Sequence, residues 1–258
     1  MARTQDGDSV LARAARIVGS FKPGESTLTV SEIARRSGLH VATASRLTQQ
    51  LVSLGWLQRD DDRHVRIGVR MWEVASRASP TLGLREAAMP FLETLHSIVG
   101  QHAQLGVLDG SEVLFVERLS APGAVINYTR IAGRLPLHAS SSGLVLLAHG
   151  STELQERILA GPLKVYTDET IRTPKQLRSA LDHVRRLGYA FCAGHIHPDA
   201  TGVAVPVRDP RGTVVAAVAV IVPNDDSARG KIPALQATAR GICGAMSLPA
   251  PPTPPPPR

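Results

Sequence analysis

Apolar residues recur at helical spacing across Ser9–Ser20, where Val10, Leu11, Ala14, Ile17 and Val18 share one stripe. Phe21-Lys22-Pro23-Gly24 then reads as a turn. Thr29-Val30-Ser31-Glu32 has capping-box spacing, with a hydroxyl at the helix start and a carboxylate three residues on. It predicts a short helix over Val30–Ser37, stopped by Gly38 in the left-handed conformation, with Leu39 as a core plug. A longer helix over Val41–Leu54 places Val41, Ala44, Leu47, Leu51 and Leu54 on one face. Its other face carries Ala42, Ser45, Arg46 and Gln49, with Thr43 at the flank, and Gly55 ends it. Trp56–Arg59 and His64–Ile67 read as strands around the turn Asp60-Asp61-Asp62-Arg63. Three helices with a glycine-containing turn, followed by a hairpin, form the pattern of a winged helix-turn-helix.

Beyond this zone, residues 68–100 are almost continuously helix-compatible, with breaks at Pro80 and Gly83, and residues 101–247 mix β-branched strands with helices. Pro249–Arg258 is proline-rich and expected to be extended and unpacked. These shifts predict a disordered start (1–8), a winged helix-turn-helix (9–67), a linker helix (68–81), a second domain (82–247) and a disordered tail (248–258).

Composition narrows the class. With 43% hydrophobic residues the chain can bury a core, and with 3% aromatics that core must be aliphatic. The longest apolar run, Val214–Val222, is too short to cross a bilayer, and the first residues lack a secretory stretch. Two cysteines, Cys192 and Cys243, make no disulfide framework. A soluble protein of the cytoplasm is the expectation. Of the net charge of +7, the first 80 residues supply +4, with 12 Lys and Arg against 8 Asp and Glu. That bias favours a polyanionic partner only weakly.

The second predicted face suits duplex DNA. It is polar and narrow enough for a major groove, where Arg46 could bond guanine or phosphate and Gln49 could read adenine. Thr43 and Ser45 are small donors near a helix start, and Arg35, Arg36, Arg63 and Arg66 could contact or steer toward phosphates. The acidic run Asp60–Asp62 argues against a wing tip that clamps phosphate strongly. A small helical module that binds protein remains the alternative.

These residues resemble the IclR family of bacterial transcriptional regulators. Leu28–Leu39 is similar to that family's second helix and turn, Thr43-Ala44-Ser45-Arg46-Leu47 to its recognition helix, and Arg66-Ile67-Gly68 to the end of its wing. His40 and Val41 stand where proline and lysine are common. Gly133-Arg134-Leu135-Pro136-Leu137-His138-Ala139-Ser140-Ser141-Ser142-Gly143, Leu146-Leu147-Ala148, Arg186–Ala190, Val203–Val207 and Gly212–Ala217 follow the family's order and spacing. The resemblance spans about residues 9–247. It implies an α+β protein: an N-terminal winged helix-turn-helix, a linker helix, and a GAF-like effector-binding domain with a curved antiparallel sheet. It further implies homodimers or tetramers, a roughly palindromic double-stranded operator, a small-molecule effector and no cofactor. The first helix and the linker helix, around Val69, Trp72, Val74 and Ala75, would form the dimer face.

The expected effector cup combines two lines of reasoning. Ser140, Ser141 and Ser142 precede an apolar helix, whose free amides make an anion site suited to a carboxylate; simple capping by one serine is the alternative. By resemblance, Leu135, Cys192, Gly202, Ala219 and Ile221 line the same cup. Ala219 and Ile221 replace family serines, so one wall should be less polar and the ligand an aromatic or acyl acid rather than a two- or three-carbon one. Cys192, His195, His197 and Asp199 are all metal-ligand types, although their spacing is not that of a structural zinc site. A metal- or thiol-responsive regulator, or a degenerate one without an effector, is therefore the rival reading. No G-x-S-x-G, H-E-x-x-H, P-loop or G-x-G-x-x-G motif occurs, and no enzyme is expected.

Overall fold

The computed structural model describes residues 8–247. The expectations of a disordered start and a disordered proline-rich tail fall, Asp8 apart, outside the described residues. The chain divides into two compact units, one up to Leu82 and one from Gly83.

The first unit runs α1 (Val10–Val18), α2 (Val30–Ser37), α3 (Val41–Ser53), β1 (Leu57–Arg59), β2 (Val65–Ile67) and α4 (Val69–Ala78). The capping box forms in both directions: Thr29 Oγ1 accepts from the Glu32 amide at 3.2 Å, and the Thr29 amide donates to Glu32 Oε2 at 2.8 Å. Gly38 turns the chain at φ 66°, a conformation that favours glycine, and Leu39 packs half-buried against the core. That core is Ile17, Leu28, Ile33, Leu47, Leu51, Leu57 and Val65, so all three helices and the hairpin share it. Leu28 also bridges Val65, which ties the lead-in of α2 to the wing.

Two positions on the expected apolar face of α3 differ. Val41 and Leu54 are 53% and 59% exposed, while Thr48 is fully buried. The small core is met along Ala44, Leu47, Thr48 and Leu51, with Val52 packed partly buried against it, and Val41 and Leu54 fall beyond its edges. Gly83 also does not break the helix it occupies. α4 ends at Ser79, which turns extended (φ −91°, ψ 112°) because a residue before proline is pushed out of helical geometry. α5 then starts at Pro80 and runs through Gly83 to Val99.

In the second unit, β3 (His102–Asp109), β4 (Glu112–Ser120), β5 (Arg134–Pro136), β6 (Ala190–Ala193), β7 (Ala200–Arg208) and β8 (Val214–Pro223) form one antiparallel sheet. Its order is β5-β4-β3-β8-β7-β6. Helices α6 (Ser141–Ala148), α7 (Thr152–Ala160), α8 (Pro174–Leu187) and α9 (Ile232–Met246) complete the unit. Strand alternation sorts the side chains. Val203, Val205, Val218 and Val220 pack against α5 and α9, with Leu92, Leu95, Leu235 and Ile242. Ala204, Ala217 and Ala219 face the other way, toward α6 and α8. The alanines let α6 lie close to the sheet, and all eight of its residues are buried.

Gly143 marks a close approach to the segment that leads from β5 into α6. A Cβ there would stand 2.4 Å from the carbonyl oxygen of Leu137 and 2.6 Å from its Cα. Alanine is the better helix former by about 1 kcal/mol, yet Gly143→Ala should destabilise the protein by roughly 1–3 kcal/mol through overpacking against backbone. Thermal denaturation checks the sign; a raised melting temperature would refute the close-approach argument.

Candidate functional site

α3 exposes Ala42, Ser45, Arg46 and Gln49, with Thr43 half-buried at their edge. The helix carries no acidic residue, so nothing on this face repels phosphate. Val41, now exposed beside Ala42, adds an apolar contact of the kind that reads a thymine methyl. Arg35, Arg63 and Arg66 are also exposed, Arg63 at positive φ (63°) in the wing turn. Asp60 is spent inside that turn, where its carboxylate accepts from the His64 amide at 2.7 Å. Arg36 differs from expectation. Its guanidinium pairs with Glu25 and donates to the Ser20 carbonyl at 3.2 Å, tying α2 to the loop after α1. The bond to Arg36 holds the Glu25 carboxyl below its usual range. Arg36 is therefore engaged within the domain, not aimed at a phosphate.

The second unit contains a cavity with about 470 Å³ of empty space, counting the part open to solvent. Strand register builds its floor: Cys192 pairs with Gly202, Gly202 with Ile221, and Ile221 with His102. These partners lie side by side on one face. Ser141 sits directly over Gly202, where an added Cβ would stand 2.8 Å from Ser141 Oγ and 3.4 Å from Ile221 Cδ1. Gly202 thus keeps the floor open under the start of α6.

The three serines divide into different roles. Ser140 is the N-cap and accepts from the Gly143 amide at 3.1 Å. The Ser141 and Ser142 amides stand at the helix start, where no intrahelical acceptor exists. Both hydroxyls are buried without a hydrogen-bond partner, but only Ser141 lines the cavity. Ser142 faces away from it, and Ala219 lies in the packed core under α6. Leu135, Ser140, Ser141, Cys192, Gly202 and Ile221 line the cavity as expected of a cup. Its apolar wall therefore owes nothing to Ala219; Ile221 carries that effect with Leu135, Ala139 and Ala200.

The opposite wall escaped the sequence reading. Gln104 on β3 contributes to it, with Ile126, Asn127, Tyr128 and Thr129 from the irregular segment after β4. That segment is anchored by the Val125 amide, which donates to Gln101 Oε1 at 2.9 Å, and by His102 Nε2, 2.6 Å from the Val125 carbonyl. The Tyr128 ring lies 5.9 Å from that of His197 across the mouth. The one available signal was Gln104 itself, a polar residue in the apolar run Ala103–Val107.

The loop after β6 does not assemble a metal site. Among the described residues, no three His, Cys, Asp or Glu side chains group so as to hold an ion. Burial pushes the Cys192 thiol up to about 12, which disfavours the thiolate that metal binding or thiol chemistry needs. Burial also lowers the pKa of His195, whose Nδ1 has no partner. The imidazole is thus neutral near pH 7. No Asp, Glu, Lys or Arg lines the cavity.

A DNA-reading helical unit and a cup-bearing unit in one chain define a transcriptional regulator. Residues 10–61 match the IclR helix-turn-helix domain, and residues 77–247 match the C-terminal domain of bacterial IclR transcriptional regulators; the chain belongs to the IclR family. It is 30% identical to the regulator XynR of Escherichia coli K12 over 210 residues, covering 81% of this chain and 83% of that one. A crystal structure of an IclR homolog from Microbacterium hydrocarbonoxydans complexed with 4-hydroxybenzoate is 42% identical. It superposes with a TM-score of 0.89 over 92% of this chain and 99% of that one. The Pca regulon regulatory protein of Pseudomonas putida is 25% identical over 240 residues, or 90% of this chain and 82% of that one. These relatives are regulators, not enzymes, and among the described residues no helix is long and apolar enough to cross a membrane.

The thiol environment is directly testable. In the native protein at pH 8, iodoacetamide should label half-buried Cys243 well before buried Cys192, as read by peptide mass spectrometry. Equal labelling rates would contradict the closed, desolvated floor of the cup.

Proposed function

We propose that this regulator senses an aromatic carboxylic acid and couples its occupancy to binding of a roughly palindromic operator in the bacterial cytoplasm. One observation carries the ligand class: an anion-competent helix start, with the unpartnered Ser141 hydroxyl, opens into a cavity that has an apolar wall and no Asp, Glu, Lys or Arg in its lining. Helix amides and a hydroxyl suit a carboxylate. Ile221, Leu135 and Cys192 suit the flat apolar body behind it. The 42%-identical homolog complexed with 4-hydroxybenzoate supports the same class.

Arg46, Gln49, Ser45 and Thr43 would read the major groove, while Arg35, Arg63 and Arg66 would meet phosphates. Homodimerisation would use α1 and α4, which leave Leu11, Val69 and Trp72 at 81%, 67% and 71% exposure. Pairing with a second copy would cover that surface and set two half-sites at a fixed spacing; two such dimers would form a tetramer. The effector regulates only if it binds one DNA-binding geometry better than the other.

Two substitutions separate the halves. Arg46→Ala should weaken specific operator binding by about 1–3 kcal/mol and change affinity for random DNA much less, as measured by fluorescence anisotropy across several salt concentrations. Equal losses on both DNAs would assign Arg46 to phosphate. Gly202→Val should abolish stabilisation by 4-hydroxybenzoate in a thermal-shift assay and leave DNA affinity unchanged. An unaltered ligand response would place the effector elsewhere.

A further inference from the structure

Gln104 is 2% exposed, yet its side chain is only half satisfied. The Thr129 amide donates to Asn127 Oδ1 at 3.0 Å, which fixes the orientation of the Asn127 carboxamide. Asn127 Nδ2 is then the group facing Gln104, 3.4 Å from Gln104 Oε1. The Thr129 hydroxyl lies 2.7 Å from that same oxygen. The single Thr129 hydroxyl proton is shared between Gln104 Oε1 and Asn127 Oδ1, also 2.7 Å away, but Asn127 Nδ2 is a donor only, so the Gln104 carbonyl faces it and the NH₂ faces away. No group among the described residues accepts from that NH₂. Gln104 lines the cavity, so this unpaired donor is available to a ligand acceptor there.

Strand order places this donor opposite the helix start. β8 separates β3 from β7, and Gly202 is level with His102 through Ile221, so Gln104, two residues further along β3, lies about 12 Å diagonally across the sheet from Gly202 and the Ser141 above it. That span suits a benzene ring with a carboxylate at one end, an oxygen at the other, and a hydrogen bond at each.

Building on the aromatic-acid reading, we infer that the Gln104 amide, oriented by Asn127 and Thr129, is a specificity donor that selects acids bearing an oxygen on the ring carbon opposite the carboxylate. The cup then discriminates hydroxybenzoate-type acids from benzoates that carry an apolar group at that position. A site built around a buried donor rejects analogues without the acceptor more strongly than a merely apolar pocket could. Because two of the groups that orient Gln104 belong to the segment after β4, ring-oxygen recognition also bears on the mouth of the cup.

The test is calorimetric titration of the full chain with 4-hydroxybenzoate and with 4-methylbenzoate, a control of similar size that lacks the acceptor. The wild-type protein should prefer 4-hydroxybenzoate by at least about tenfold, the scale of one buried hydrogen bond. Gln104→Met should reduce that preference to within about twofold, chiefly by weakening 4-hydroxybenzoate. Equal affinities in the wild-type protein would overturn the inference without any variant. So would a Gln104→Met protein that weakens both acids equally, which would put Gln104 on the carboxylate or in a structural role. Binding of neither acid to the wild-type protein would bring down the aromatic-acid reading itself. Binding of both with equal affinity would remove only the role of Gln104.

Discussion

The close seating of α6 on the alanine-lined face of the sheet is the constraint on which the effector unit depends. Ala204, Ala217 and Ala219 permit it, and Gly143 lets the segment entering from β5 fold back against the first turn, because any side chain there would enter the Leu137 backbone. Once the helix is seated, Ser140 caps it, Ser141 overhangs Gly202, and the free amides of the first turn open onto the floor formed by Cys192, Gly202 and Ile221. A helix buried all round must find partners for the free amides at its start, because they have no acceptor within the helix. Here one end is left facing a cavity, where its unmet donors can serve a ligand anion.

The cup is neutral as well as small. Burial holds two of its titratable groups in uncharged forms, Cys192 as a thiol and His195 as an imidazole. A ligand carboxylate would thus meet fixed dipoles rather than a compensating charge. Such dipoles are oriented before the ligand arrives, so recognition costs little rearrangement. The same burial weakens the case for thiol sensing and for Cys192 as a metal ligand, since both need a deprotonated sulfur.

The DNA-reading unit solves a different problem. It holds few residues, and Val41 and Leu54 of α3 fall beyond the edges of its core. Local devices compensate: a reciprocal capping box on α2, the left-handed turn at Gly38, and the Arg36–Glu25 pair that fastens α2 to the preceding loop. The result is a helix whose two ends and outer face stand clear of the core, as a groove-reading element requires. Val41 is exposed for this reason, although its chemistry and spacing assigned it to the core.

Local patterns in the sequence were enough to determine the helix-turn-helix, its caps and wing, and the break before Pro80, because each depends on residues within one or two turns of one another; which of the three serines caps α6 came from the structure. The resemblance of separated motifs extended this to the α+β class and to most of one wall of the cup. What only the tertiary structure decided were contacts between distant segments. Arg36 meets Glu25, Ser142 turns away from the cavity while Ser141 enters it, Ala219 belongs to the core, and Gln104 meets Asn127 and Thr129. Strand register and helix rotation set these outcomes. A shift of one residue in either reverses which side chain faces the ligand, and no local pattern in the chain records that choice.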